Sequence, residues 1–210
     1  MDKITELSKK YGENPYLRSV INLIPYIGGS LDFILTEKWN SFYQRRIENM
    51  LDQLSHDLTE VQDKINNDYL KSEEFFDIIL KIIQESIKTR LDDKRKIYSK
   101  IIRDSISYQK STAETESIIE IVSNLYEKDL FLIFQLQKYL TIEKKKNFTG
   151  EDIFRFLSNE NSDINEIVRS LYRLAFLGLL DYDTTKLTLR QKIQFSKTPL
   201  FDRIHNYLIE

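Results

Sequence analysis

The stretch GEDIFRFLSNENSDINEIVRSLYRLAFLGLLDYDTTKLTLRQKIQFSKTPLF, residues 150–201, decides the fold of the C-terminal part of the chain. Its first apolar residues predict a short helix over 150–157. A second helix is predicted over 162–177, because apolar residues recur there every three or four positions, and Gly178 ends it. Two helices separated by a short turn are therefore expected.

Strand-like patterns follow the second helix. Leu179–Tyr182 predicts a short strand, and the alternation over Lys186–Phe195 predicts a second strand that completes a small β-hairpin. Thr198 and Pro199 then indicate the start of a last helix, since proline is favoured in a first helical turn. A further helix is predicted before the module's other helices, over Leu130–Leu140.

The N-terminal part is predicted to contain one long helix, from Ser30 to about Ile65. Its apolar residues recur every three or four positions and form a single stripe: Trp39, Tyr43, Ile47, Leu51, Leu54, Leu58, Val61 and Ile65. A helix of this length spans roughly 54 Å. That is too long for a compact small domain, so we expect a spine for neighbouring helices or one half of a dimer seam.

Two further helices are predicted after the long one. A helix from Ser72 to about Thr89 carries apolar residues on more than half of its circumference and should be central. The next helix, capped by Asp92, should direct isoleucines inward. Its basic residues are interpreted as a solvated face, with contact to phosphates or an acidic partner as the alternative: Lys94 and Arg95 in the first turn, and Lys96, Lys100 and Arg103 on the outer face.

The composition is that of a globular chain, with 41% apolar and 30% charged residues. The net charge of −2 creates no overall field toward nucleic acid or acidic lipid. The absence of cysteine excludes disulfides, thiolate catalysis and cysteine-ligated metals, and it fits a reducing compartment. Met1–Glu6 lacks the apolar core of a signal peptide. We therefore expect a cytoplasmic protein.

The most apolar stretch is Ser19–Leu35. It has 13 uncharged residues between Arg18 and Asp32, whereas a membrane-spanning helix needs about 20. Pro25–Gly29 also interrupts it. A buried helical elbow is the expected structure, and membrane association through this elbow is the weaker alternative.

Residues for catalysis or metal binding do not form any recognisable pattern. His56 and His205 lie in different predicted domains, and neither has a second ligand at a metal-site spacing. No glycine-rich loop follows a strand, and no serine lies in a nucleophile motif. We expect no enzymatic activity and no cofactor.

DNA binding is the main functional alternative that the C-terminal part raises. The second helix of a helix-turn-helix enters the major groove, and here it would present Arg169 and Arg173. The hairpin would add Lys186, Arg190 and Lys192. The region from Lys128 onward has 13 basic and 11 acidic residues, which is a weaker basic footprint than a dedicated DNA-binding module has.

The C-terminal part resembles the winged-helix module of bacterial transcription regulators. The resemblance covers residues 128–208 and rests on Asp163–Gly178, Leu179–Asp183, Leu187–Phe195 and Thr198–Phe201. We therefore predict a mainly α fold. A helical bundle with one long helix should occupy residues 1–127, and a winged-helix-like module with a small β-hairpin should occupy residues 128–210.

The N-terminal half is similar, more loosely, to bacterial helical proteins, some of them associated with abortive phage infection. This similarity rests on Leu23–Gly29 and on Lys88–Ile102, and it implies no functional residue. The expected function is a non-enzymatic bacterial regulatory or interaction protein, with a connection to phage defence implied by this resemblance alone. The long helix is the expected surface for a protein partner or for self-association.

Overall fold

The chain divides into two compact units, Met1–Ser123 and Asn124–Glu210. The computed structural model describes residues 37–59, 68–108, 111–157, 163–183 and 192–209, with the single positions 9, 17, 18, 61 and 64. The predicted elbow over Pro25–Gly29 lies outside the described residues. The boundary between the units falls just before the one expected near residue 127.

Four helices form the described part of the N-terminal unit: α1 (Glu37–Thr59), α2 (Glu73–Lys88), α3 (Asp92–Tyr108) and α4 (Thr112–Asn124). A single 3-10 turn, Tyr69–Lys71, precedes α2. Helices α1, α2 and α3 pack against one another, and the pair α1–α3 shares the largest contact. The unit is thus a helical bundle in which each of these three helices contacts the other two.

The apolar stripe of α1 is buried inside the N-terminal unit. Ile47, Leu51, Leu54 and Leu58 have almost no exposed surface, and Met50 beside them is fully buried. Because α2 and α3 of the same chain pack on α1, these residues are not open to a second molecule. The geometry fits the role of a spine for neighbouring helices, and self-association through the long helix stays a prediction.

Helix α2 is central, as its apolar pattern predicts. Its start is fixed by Ser72, whose hydroxyl accepts a hydrogen bond from the backbone N–H of Phe75 at 3.2 Å. Glu73 and Glu74 in the first turn add a favourable interaction with the helix dipole. The apolar residues Phe75, Ile78, Ile79, Ile82, Ile83 and Ile87 are all buried.

The interpretation of the basic residues on α3 as a solvated face is wrong. Lys94, Arg95 and Lys100 are buried, and only Lys96 is exposed. Lys94 Nζ donates to the carbonyl of Ser123 at 2.8 Å, and Arg95 Nη1 donates to that of Thr89 at 2.9 Å. The helix is covered on most of its circumference, so the long side chains of Lys94 and Arg95 reach backbone carbonyls rather than solvent.

The C-terminal unit combines four helices with a small sheet. The described elements are, in order, α5 (Glu127–Glu143), β1 (Asn147–Phe148), α6 (Gly150–Phe156), α7 (Ile164–Phe176), β2 (Leu180–Tyr182), β3 (Phe195–Lys197) and α8 (Pro199–Ile209). The strands lie in the order β1-β3-β2, and both pairings are antiparallel. The predicted class, mainly α with a small hairpin, is confirmed. Strand β1 is an addition that the sequence analysis missed.

The turns of the C-terminal unit explain where its helices begin and end. Thr149 caps α6, and its backbone N–H donates to the Asp152 carboxylate at 2.8 Å, which forms a capping box. Helix α7 ends at Gly178, whose φ of +75° is in the left-handed region. The N–H groups of Gly178 and Leu179 each donate to carbonyls of the last turn at 2.9 Å. Gly178 therefore ends the helix as predicted.

Aromatic and aliphatic side chains hold the sheet against the helices. The rings of Phe148 and Phe195 stack across β1 and β3 with their centroids 6.0 Å apart. Thr198 donates its hydroxyl to the carbonyl of Gly178 at 2.8 Å, which fixes the start of α8 beside the end of α7. None of the described helices has the length and apolarity of a bilayer-spanning segment.

Candidate functional site

Three of the five residues predicted to bind DNA, Arg169, Arg173 and Lys192, lie within the described structure. Arg169 on α7 and Lys192 before β3 are exposed. Lys186 and Arg190 lie outside the described residues. Arg173 is partly buried, because it faces α5 rather than solvent.

Arg173 connects α7 to the beginning of α5. Its Nη1 lies 3.3 Å from Oδ2 of Asp129, which is fully buried. The same oxygen accepts a hydrogen bond from the backbone N–H of Tyr126 at 2.8 Å. The guanidinium of Arg173 also lies over the Tyr126 ring, 4.3 Å from its centroid. Arg173 thus has a structural role that the sequence analysis missed.

A second ion pair joins the same two helices at the surface. Lys128 Nζ lies 2.6 Å from Oε2 of Glu166, and both side chains are at least half exposed. Two charged residues of α7, Glu166 and Arg173, are therefore paired with α5. Arg169 forms no ion pair with any described residue, so it is the charge that α7 leaves available.

Helix α5 carries an apolar surface that its own unit does not cover. Phe131, Phe134 and Ile142 are 43%, 48% and 56% exposed. They are separated by three and eight positions, which places them along one side of the helix. The opposite side is buried and equally apolar: Leu132, Ile133, Leu136, Tyr139 and Leu140. We call Phe131, Phe134 and Ile142 the apolar face of α5.

Lysines surround the C-terminal half of the apolar face. Lys138 lies on the face between Phe134 and Ile142, and Lys144–Lys146 follow the end of the helix, all of them exposed. Lys145 Nζ donates to the Tyr139 hydroxyl at 3.3 Å, and this hydrogen bond raises the pKa of Lys145. Lys144 adopts a left-handed conformation with φ of 51°, which turns the chain away from the helix axis. The face is thus apolar with a basic border.

The apolar face could have been found from the sequence. The segment LFLIFQLQKYLTI, residues 130–142, contains one charged residue and no continuous polar side. A helix that is apolar all round is either buried or in contact with something else. In this unit one side of the helix is buried and the other is not.

The two histidines occupy unrelated positions, each in its own unit. The side chain of His56 is mostly exposed at the end of α1, with Nδ1 3.9 Å from Oδ1 of Asp57. His205 is buried on α8 and its ring is parallel to that of Phe201. Burial lowers the pKa of His205. Among the described residues, no group of three or more potential metal ligands comes together.

No protein-family model matches the chain, and no curated protein and no solved structure is significantly similar to it. Neither the winged-helix resemblance nor the similarity to phage-defence proteins is therefore supported by a matching family or protein. A function must be inferred from the residues themselves.

Proposed function

We propose that the chain is a non-enzymatic bacterial regulatory protein that acts by binding another protein through the apolar face of α5. The observation that carries the proposal is the exposure of Phe131, Phe134 and Ile142 on one side of a helix. Contiguous exposed apolar side chains with a polar border are typical of protein interaction sites. The buried stripe of α1 offers no such surface.

The element order of the C-terminal unit supports its use as a winged-helix-like module. Helices α6 and α7 follow one another in contact, and a strand pair follows α7. Winged helices read DNA through the second helix of this pair. Here one arginine of that helix, Arg169, has no ion pair among the described residues, and two other charges of the helix are used within the module. These contacts favour a module that binds protein. A connection to phage defence stays a prediction.

A capture experiment with matched variants tests the proposal. The full chain, its Phe131→Ser/Phe134→Ser variant and a Phe176→Ser variant are immobilised and exposed to bacterial lysate, and each retained protein is purified. Phe176 is 90% exposed on a different helix of the same unit, so its replacement controls for general loss of surface hydrophobicity. We expect the purified partner to bind the double variant at least tenfold more weakly than the chain and the Phe176→Ser variant.

Two results would contradict the proposal. One is a partner whose affinity, measured by calorimetry, is the same for all three proteins. The other is the absence of any protein that the chain retains more strongly than the double variant does. Both variants change exposed side chains, so their folding can be verified first by circular dichroism.

DNA binding is the second candidate function, and the exposure of Arg169 and Lys192 favours it. Lys186 and Arg190, outside the described residues, would contribute from the hairpin. Fluorescence anisotropy with a random-sequence duplex should then show binding that weakens steeply with salt, because phosphate contacts release counterions. Arg169→Ala should reduce it. No anisotropy change at low salt would exclude this function.

A further inference from the structure

We infer that the apolar face of α5 receives an acidic amphipathic helix of the partner protein. This inference rests on the proposed function and adds the chemical class of the partner. It is carried by the charges that border the face and by the spacing of the apolar side chains along it.

The border of the apolar face is strongly basic, whereas the chain as a whole is not. Between Phe131 and Asn147 the sequence has four lysines and one glutamate, a net charge of +3, in a chain of net charge −2. Lys138 and Lys144–Lys146 are exposed, as is Glu143. The next acidic residues along the chain have partners: Asp152 caps α6, and Glu151 faces Arg155. Positive potential at this border selects a segment rich in Asp and Glu.

The spacing of the apolar side chains fits a helix. Phe131 and Ile142 are separated by eleven positions, about 16 Å along the axis at 1.5 Å per residue. An amphipathic helix of three turns presents apolar residues over the same distance. The surface of α5 is convex and ridged, and such a surface packs well against the grooves of another helix. The partner's acidic residues would then lie beside Lys138 and Lys144–Lys146.

A second copy of the chain is a poorer occupant. In a two-fold symmetric pair, a residue near the middle of the interface approaches its own counterpart. Lys138 lies on the face between Phe134 and Ile142, so such a pair would bring two lysines together in an apolar contact. Burial of like charges without a partner is costly.

An anionic membrane is also a poorer occupant. Side chains that anchor a protein in a bilayer enter it by roughly 5–10 Å. Phe131 and Phe134 are less than half exposed. The exposed Lys138 lies between Phe134 and Ile142, so the face presents no continuous apolar side to insert.

Two synthetic peptides test the inference with the full-length chain. Both are helical 18-residue peptides with the same apolar residues on one side, and the other positions are glutamate in one peptide and lysine in the other. We expect the glutamate peptide to bind at least tenfold more tightly, as measured by NMR titration of the labelled chain. Phe131→Ser/Phe134→Ser should weaken this binding at least tenfold, and Phe176→Ser should not.

Charge reversal gives the sharpest control. The triple variant K138E/K144E/K146E changes only exposed residues, leaves the contact of Lys145 with Tyr139 intact, and should lose the preference for the glutamate peptide or invert it. A peptide preference that survives the triple variant would overturn the inference, because the basic border would then not be its source.

The remaining outcomes separate this inference from the proposed function. Equal binding of both peptides, weakened by the Phe131→Ser/Phe134→Ser change, would overturn the acidic class while leaving a protein-binding face. Binding of neither peptide would overturn the inference even if the capture experiment succeeded. Sedimentation with phosphatidylglycerol vesicles, or self-association in the ultracentrifuge, that the double variant abolishes would overturn it in favour of a membrane or a second copy.

Discussion

Arg173 Nη1 lies 3.3 Å from Oδ2 of the fully buried Asp129, and this contact joins the third helix of the C-terminal unit to the first. Oδ2 also accepts the N–H of Tyr126, while Oδ1 is buried without a hydrogen-bond partner among the described residues. When only one oxygen of a buried carboxylate accepts hydrogen bonds, the stability of its charge depends strongly on the cationic partner. Arg173, one of the residues expected to contact DNA, therefore also holds these two helices together.

Asp129→Ala should destabilise the C-terminal unit. The change removes the hydrogen bond that caps α5 and leaves the partly buried guanidinium of Arg173 without its carboxylate, so we expect a loss of about 2–4 kcal/mol in the free energy of unfolding. Urea denaturation followed by NMR signals of residues 124–209 measures it. Glu166→Ala breaks the exposed pair between the same two helices and should cost at most about 1 kcal/mol. Equal losses for the two variants would refute the structural role of Asp129.

Gly178→Ala should destabilise the same unit through its backbone alone. At φ of +75° a residue with a Cβ is strained by about 1–2 kcal/mol. The nearest atom to an added Cβ, on Leu200, would lie 4.0 Å away, so no steric clash contributes. Gly178→Asn is the matched control, because asparagine tolerates the left-handed region better. The melting temperature should fall further for alanine than for asparagine.

The stability of the C-terminal unit should decrease below about pH 6.5. Burial lowers the pKa of His205 in the folded state. Between the folded and the unfolded pKa values, His205 is therefore protonated in the unfolded chain and neutral in the folded chain. The stabilisation from the neutral imidazole is complete above the unfolded pKa near 6.5, and it is lost as pH falls through that value toward the folded pKa. Unfolding at pH 7.5 and at pH 5 should differ less in His205→Gln than in the parent chain. An NMR titration of His205 with a midpoint at or above 6.5 would contradict this prediction.

The two sides of α5 should respond differently to truncation. Leu136 is fully buried, so Leu136→Ala should cost about 2–5 kcal/mol in the free energy of unfolding. Phe134→Ser on the apolar face removes a half-exposed ring and should cost less than 1 kcal/mol. Thermal denaturation of both variants measures the contrast. A large loss for Phe134→Ser would show that the face is part of the unit's own core.

Local sequence signals predicted the elements whose causes are local. Gly178 ends α7 because its own backbone adopts a conformation that other residues resist, and Ser72 starts α2 through its own hydroxyl. These causes lie within a few residues of each other. The order of the helices, and the two strands that follow α7, could therefore be predicted from the sequence.

The missed features depend on partners far away in the chain. Arg173 and Asp129 are separated by 44 positions, and nothing around Arg173 indicates that it faces inward. Lys94 likewise finds the carbonyl of Ser123 at a separation of 29 positions. Strand β1 contains two residues and exists only because β3 pairs with it. Such contacts are set by packing, which local periodicity does not encode.

The middle position of β3 in the sheet has a consequence for synthesis on the ribosome. Both Asn147–Phe148 and Leu180–Tyr182 obtain their hydrogen bonds from Phe195–Lys197, the last of the three segments to be translated. The first two segments therefore have no strand to pair with until nearly the whole unit has left the exit tunnel. Ribosome-bound chains arrested before Phe195 should consequently expose Phe148 to chaperones, although the residues of α5, α6 and α7 have already been translated.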